Sequence, residues 1–243
     1  WISSSFYMDN LPNWLLEYQN QKSTSSYIES RWSFKDKFSH NLDSLIDLKG
    51  FGIIKSTPYG NTILADLALE ILKNENLGQN SSTDLLTVSF SSTDYIGHQY
   101  GPHSFEILDT YKRLDNDIAK LLNYINTKIG KENAIVFLTA DHGVASEPSK
   151  LMQFNIPSGY FSNSEMIDEL ESHLRDQFNW PEKDFSVKDL ILNYSNNQLF
   201  LNHDFIEKNM GAETLRLITE ICSAFLLKQE GIKNTYTAHQ LHN

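Results

Sequence analysis

DLLTVSFSSTDYIGHQYGPH, from Asp84 to His103, is the stretch of sequence that decides the fold prediction. Its first part, Leu85 to Phe90, is a run of apolar and β-branched residues, which predicts a buried strand. The run ends in a polar loop in which Asp94 and His98 stand four residues apart. The stretch therefore predicts a core strand that delivers one carboxylate and one imidazole to its carboxyl end.

A second stretch further along the chain has the same pattern, an apolar run followed by Asp and His. The apolar run AIVFLTA, residues 134–140, is followed directly by Asp141, His142 and Gly143. In an open α/β sheet, ligands gather beyond the carboxyl ends of the strands. We therefore expect the two Asp/His pairs to meet at one edge of the same sheet.

Helical patterns surround these two strands. Residues 61–77 carry apolar side chains on one face, with Asn61 as the expected N-cap and Gly78 as the stop. Residues 104–129 repeat apolar side chains every three or four positions. Two apolar strands joined by a long helix favour a right-handed parallel crossover. The pattern predicts an α/β fold with a mostly parallel sheet flanked by helices.

The character of the sequence changes after Ile156-Pro157-Ser158-Gly159, which marks a break. We predict a core α/β region over 1–159 and a smaller α+β subdomain over 160–243. The expected elements of the second part are a helix, a hairpin turning at Ser195-Asn196-Asn197, and a further helix, over residues 164–178, 189–202 and 212–229.

Composition excludes several classes of partner. The chain has 243 residues and a net charge of −11, which argues against nucleic acid and anionic membranes as main partners. No apolar run approaches the roughly 18 residues that a membrane span requires. The single cysteine, Cys222, allows no intrachain disulfide, and its apolar surroundings in the sequence predict a buried thiol.

The two Asp/His pairs allow a metal site and more ordinary interpretations. Asp94 and His98 have a spacing that places both side chains on one face of a helix, and carboxylate with imidazole is a normal donor set for zinc. Alone, such a pair is often a solvated Asp near an unrelated His. Asp141 and His142 could equally be a polar helix cap with an exposed imidazole. Their shared position after core-type strands favours the metal interpretation.

The sequences of these segments resemble those of the alkaline phosphatase superfamily. SSTDYIGHQYGP (91–102) and FLTADHG (137–143), separated by a long helix, are similar to the single-chain bacterial alkaline phosphatases of the phosphodiesterase-like branch. Supporting likeness comes from FYMDNLPNWL, STPYGNT and YSNNQLFLN, at residues 6–15, 56–62 and 194–202. The resemblance covers most of the chain and implies an alkaline-phosphatase-like α/β fold.

The resemblance also implies chemistry. Asp94 and His98 would bind one zinc ion, and Asp141 and His142 a second. The family hydrolyses small phosphate esters through a Thr or Ser nucleophile and a covalent phospho-enzyme. Its members are usually exported, so the resemblance implies a periplasmic or secreted protein.

Several features of the family pattern are not found in this sequence. These are an N-terminal Asp ligand, the nucleophile motif, a later Thr-His-Gly motif, and the Lys and Arg that bind phosphate. We therefore expect the chain to be a fragment, inactive in isolation. Thr57, before Pro58 and a helix start, is interpreted as a turn or cap residue rather than a substitute nucleophile. His239 and His242 are expected at a frayed surface end.

Three functions therefore remain open at the level of sequence. The first is a zinc-dependent phosphomonoesterase of the alkaline phosphatase type. The second is a phosphodiesterase, sulfatase or phosphonate hydrolase of the same superfamily. The third is a non-catalytic domain that binds a partner or an anion.

Overall fold

The computed structural model describes residues 1–179 and 186–241. Residue contacts divide the chain into two compact units, Trp1–Pro157 and Ser158–Asn243. The first unit carries both Asp/His pairs. The functional roles predicted for the two parts, a phosphatase-like body and a smaller α+β subdomain, stay predictions.

The first unit is mainly helical and contains one small β-hairpin. Its regular elements are α1 (Asn13–Gln21), β1 (Arg31–Phe34), β2 (Phe38–Asn41), α2 (Leu42–Lys49), α3 (Pro58–Asn74), α4 (Ser92–Tyr100), α5 (Phe105–Tyr124) and α6 (Pro148–Gln153). Single 3₁₀ turns occupy Thr24–Ser26, Phe51–Ser56 and Lys131–Asn133, and a π-helical turn extends α5 over Ile125–Gly130.

The two long helices predicted from apolar periodicity are confirmed. Helix α3 begins at Pro58, three residues before the predicted start, because proline is well suited to a first helical turn where no N–H donor is needed. Helix α5 begins where the hydroxyl of Ser104 accepts a hydrogen bond from the N–H of Ile107. Its π-helical extension ends at Gly130, which has a φ of 97°.

A single apolar cluster holds α4 against the rest of this unit. Its fully or nearly fully buried members are Trp32, Leu42, Tyr59, Ile96 and Ile107, contributed by β1, α2, α3, α4 and α5. The indole Nε1–H of Trp32 donates a 2.8 Å hydrogen bond to Oδ2 of Asp109, so the one polar atom of this buried side chain is satisfied. Burial of Ile96 fixes the face that α4 turns inward.

The two segments predicted as core strands differ from expectation. Residues 84–90 and 134–140 lie outside both β-ladders of the described residues, which are antiparallel hairpins. Leu86, Val88 and Phe90 are half-buried and alternate with exposed residues, whereas residues 135–140 are all exposed, Phe137 to 88%. The prediction of a buried core strand is therefore wrong for both segments, since 135–140 is exposed and 85–90 is half-buried only at alternate residues. A strand needs another backbone alongside to bind its N–H and C=O groups, and no described strand lies beside either segment.

The second unit combines helices with a hairpin, as the sequence predicts. Its elements are α7 (Asn163–Phe178), α8 (Val187–Leu190), β3 (Ile191–Ser195), β4 (Gln198–Leu201), α9 (His203–Met210), α10 (Ala212–Leu226) and α11 (Ala238–Leu241). Asn196 and Asn197 form the hairpin turn with φ values of 50° and 59°, which asparagine tolerates better than most residues. The buried core comprises Leu170, Leu174, Leu190, Ile191, Ile206, Ile218 and Cys222.

Among the described residues, no helix combines the length and the apolar character needed to cross a bilayer.

Candidate metal centre

Helix α4 presents Asp94 and His98 on its outward side. Asp94 lies in its first turn and His98 in its last, one helical repeat apart. Ile96, between them in sequence, is completely buried in the apolar cluster. Because the inward face is fixed by packing, the carboxylate and the imidazole are both directed to solvent from a rigid support.

The start of α4 is held by a side chain from α3. The amide oxygen of Asn61 accepts a hydrogen bond from the backbone N–H of Ser92 at 3.2 Å, and its Nδ2 donates to the Thr93 hydroxyl at 3.1 Å. Asn61 is buried, at 1% exposure. The sequence prediction that Asn61 caps α3 is therefore wrong, because α3 already begins at Pro58 and the side chain serves α4 instead.

Gly60 allows α3 and α4 to approach this closely. A Cβ atom at position 60 would overlap Oγ of Ser92 and would lie 2.8 Å from the carbonyl oxygen of Ile54. The backbone of Ile54 cannot move aside as the end of a flexible side chain could. Glycine is thus required by a close contact here and not by a left-handed backbone.

The second Asp/His pair lies in a stretch without regular structure. Asp141 and His142 follow the exposed segment 134–140 and precede α6. The imidazole Nδ1–H of His142 donates to the carbonyl oxygen of Gly143 at 2.8 Å. With Nδ1 used in this way, Nε2 is the nitrogen available for a ligand.

The structure brings the two pairs together around the carboxylate of Asp94. Oδ1 of Asp94 lies 3.4 Å from Nε2 of His98 and 3.7 Å from Nε2 of His142. Oδ2 of Asp141 lies 3.7 Å from the same His142 nitrogen. The four side chains are between 48% and 87% exposed, so they form an open, acidic surface site rather than a buried ion-pair network.

This arrangement affects the titration of His142. The hydrogen bond to the Gly143 carbonyl, followed by the carboxylates of Asp141 and Asp94, raises the pKa of the His142 imidazole above its ordinary value. A cation is therefore favoured at this point in the molecule, whether it is a proton or a metal ion.

The four side chains carry the types of donor atom that zinc requires. Two imidazole nitrogens and two carboxylates are the ligand types that zinc binds. Among residues 1–179 and 186–241, however, no group of three or more His, Cys, Asp or Glu side chains is arranged to hold an ion as it stands. The short distances between these side chains join them two at a time, and their donor atoms are of the types that zinc binds. Their role as ligands stays a prediction.

The Thr57 side chain, considered above as a substitute nucleophile, is engaged in a local contact. The Thr57 hydroxyl is buried and donates to the Ile54 carbonyl at 2.8 Å, which supports its interpretation as a turn residue. His239 lies in α11, and His242 lies outside the described residues.

Comparison with known proteins decides the family. The family model for type I phosphodiesterase / nucleotide pyrophosphatase matches residues 3–200, which is most of the chain and includes both Asp/His pairs. The chain belongs to this family.

Similar proteins of known name agree with this membership. The chain is 38% identical over 236 residues to a protein of Myroides odoratus named calcium-transporting ATPase, covering 86% of the chain and 42% of that protein. It is 32% identical over 257 residues to alkaline phosphatase PhoV of Synechococcus elongatus, covering 96% and 44%. The chain therefore spans less than half of the length of these relatives.

A solved structure shows the same fold. The crystal structure of alkaline phosphatase PafA matches with a TM-score of 0.78 and 26% sequence identity, over 98% of this chain and 48% of that one. This match confirms the predicted alkaline-phosphatase-like α/β class. It also confirms the predicted superfamily, whose named relatives here include alkaline phosphatases.

Proposed function

We propose that the protein is a metal-dependent hydrolase of phosphate monoesters, of the alkaline phosphatase type, acting through two zinc ions. The observation that carries this proposal is the meeting of both Asp/His pairs at Asp94, whose Oδ1 lies within 3.7 Å of Nε2 of His98 and His142. Two distant parts of the sequence have no structural need to bring a carboxylate and two imidazoles to one exposed point.

In this proposal Asp94 and His98 hold one zinc ion, and Asp141 and His142 hold the other. Bound zinc would supply Lewis acidity for the phosphoryl group and a lowered pKa for the attacking oxygen. The protein's own contribution is orientation. Helix α4 fixes Asp94 and His98, and the Gly143 carbonyl holds the His142 ring so that Nε2 faces Asp94.

Electrostatics gives an independent reason for the metal. A phosphate ester is an anion, the chain carries a net charge of −11, and the site contains two carboxylates. Such a site would repel its own substrate. Two divalent cations would reverse the local field, which reconciles an acidic protein with an anionic substrate. No nucleophile is assigned to this chain, since the Thr57 hydroxyl is bound to Ile54.

A second candidate function is hydrolysis of phosphodiesters or nucleotide pyrophosphates. The observation that favours it is the description of the matching family. The two functions share the same metal ligands and differ in the group that leaves. We also propose, on family resemblance alone, that the protein is periplasmic or secreted, and that its activity belongs to a longer protein of which the 243 residues form part.

Zinc content and substrate preference test the proposal. We expect the longer protein to contain zinc and to hydrolyse p-nitrophenyl phosphate faster than bis-p-nitrophenyl phosphate or p-nitrophenyl sulfate. The isolated 243 residues should bind zinc weakly and turn over little. A higher rate on the diester would favour the second candidate.

A double variant with a matched control identifies the ligands. Asp141→Ala with His142→Ala should lose zinc and nearly all phosphate release. The control, His203→Ala with Asp204→Ala, removes the same two residue types from an exposed adjacent pair at the start of α9 and should retain both properties. Unchanged zinc content and phosphate release in the first variant would show that the ligands are misassigned.

A further inference from the structure

We propose that Gly101, His103, Ser146 and Glu147 form a clamp that positions Asp141 and His142 beside α4. These four residues are positioning residues for the site proposed above, and the inference rests on that function. Their contacts join the loop after the first Asp/His pair to the segment after the second pair.

The second pair needs such support because its own surroundings provide little. Residues 134–140 form no ladder, and within the described residues the hydrogen bonds given by Thr139 and His142 stay inside the stretch 139–143. Asp94, by contrast, is carried by a helix anchored in the apolar cluster. The distance between Asp94 and His142 must therefore be set by contacts further along the chain.

The first contact of the clamp is between Gly101 and Glu147. Gly101 ends α4 with a φ of 89°, and its N–H donates to the Gly97 carbonyl at 2.9 Å. A Cβ atom at position 101 would overlap Oε1 of Glu147 and would lie 2.8 Å from its carboxyl carbon. The Glu147 side chain thus occupies the space that any other residue at position 101 would need.

Glu147 is half-buried, and its carboxylate lies against the backbone of Gly101. Its Oε2 is buried and has no hydrogen-bond partner among the described residues. A buried carboxylate oxygen without a partner lowers stability, so its position is imposed by the surrounding chain. The contact matters for geometry, since Glu147 is also the N-cap of α6 and lies five positions after His142.

The second contact lies alongside the first. Nε2 of His103 and Oγ of Ser146 are 2.9 Å apart, at hydrogen-bonding distance. His103 follows Gly101 by two residues, and Ser146 directly precedes Glu147. Two contacts between the same two segments fix direction as well as distance, which one contact alone would not do. The clamp therefore determines where the chain from Asp141 onward runs relative to α4.

A glycine pair separates the effect of the clamp from that of backbone strain. Gly101→Ala introduces both a left-handed alanine and an overlap with Glu147. Gly50→Ala is the matched control, because Gly50 lies in the same unit with a φ of 70° and has no atom within 4 Å of a built Cβ. We expect Gly101→Ala to lower zinc affinity by about 10-fold to 100-fold, as loss of supporting residues around metal ligands does. Gly50→Ala should leave zinc affinity unchanged.

A Glu147 series tests whether shape is what matters. Glu147→Ala should weaken zinc binding in the same way, and Glu147→Gln, which keeps the shape without the charge, should restore it. His103→Ala should also weaken zinc binding, because it removes the other contact of the clamp. If Glu147 only stabilised the fold, zinc affinity would fall in the alanine variant together with thermal stability. We expect zinc affinity to fall in the alanine variant and to recover in the glutamine variant while thermal stability stays equal. Equal zinc affinity in all of these variants would overturn the inference.

Hydrogen exchange provides a readout that needs no metal. The amides of Lys150 and Leu151 donate to the carbonyl of Glu147 in the first turn of α6. Their exchange should be faster in Gly101→Ala than in Gly50→Ala. If the unaltered protein binds no zinc, the proposed function fails, and this measurement still decides the clamp. Identical exchange of α6 in the two glycine variants would refute the inference by itself.

Discussion

Asn61→Ala would show how much of α4's position depends on one buried amide. The substitution removes the acceptor for the Ser92 N–H and the donor to the Thr93 hydroxyl. Ser92 is itself buried, so its N–H would be left unsatisfied at a cost of about 1–3 kcal/mol, with about 1 kcal/mol more for the second bond. Alanine recovers roughly 0.6 kcal/mol through helix propensity. The free energy of unfolding should fall by about 2–3 kcal/mol.

Urea unfolding followed by tryptophan fluorescence measures this change, because Trp32 is fully buried in the same unit. With a slope of about 2–3 kcal/mol per M, the midpoint should fall by roughly 1 M. Asn116→Ala is the matched control, since Asn116 is exposed and its side chain, among the described residues, bonds only the Lys112 carbonyl of its own helix. It should stay within about 0.5 kcal/mol of the unaltered protein. An equal effect of the two substitutions would refute the anchoring role of Asn61.

Two further predictions concern the second unit. Leu170→Ala should destabilise it by about 2–5 kcal/mol in urea unfolding, because Leu170 is fully buried, whereas Leu217→Ala, at a site 47% exposed, should have little effect. Burial raises the pKa of the Cys222 thiol from its ordinary 9.0 to about 12. The folded state therefore keeps a proton that the unfolded state loses, so this contribution to stability is intact below about pH 9 and disappears as the pH rises toward 12. Urea midpoints measured across this range should fall less in Cys222→Val; an identical fall would contradict the assignment.

Local sequence patterns were sufficient for the long elements. The three- and four-residue apolar repeat of α5, and the Asn196-Asn197 turn between β3 and β4, depend on neighbours in sequence and were predicted correctly. The segment 134–140 was predicted incorrectly, because an apolar run shows that a strand can form but does not show which backbone pairs with it. Among the described residues no strand pairs with this segment, and residues 135–140 are exposed.

The candidate site was only partly predictable for the same reason. The placement of Asp94 and His98 on one helical face follows from their spacing. Their closeness to His142 was expected from a shared sheet edge, whereas the structure joins the two segments by further contacts, of Gly101 with Glu147 and of His103 with Ser146. Contacts between residues far apart in sequence leave no local pattern. The hydrogen bonds of Asn61 to α4 were not predicted either, because its partners lie on another helix.

Gly60 limits which positions can be varied in a mutant library of this protein. Any larger residue there would collide with the Ile54 carbonyl and Ser92, and relief would require α3 to move away from the 3₁₀ segment Phe51–Ser56 and from α4. Libraries built to change substrate preference should therefore keep this position constant and vary outward-facing positions such as Tyr95, which is 44% exposed. Loss of function at position 60 in such a screen would report on helix spacing rather than on chemistry.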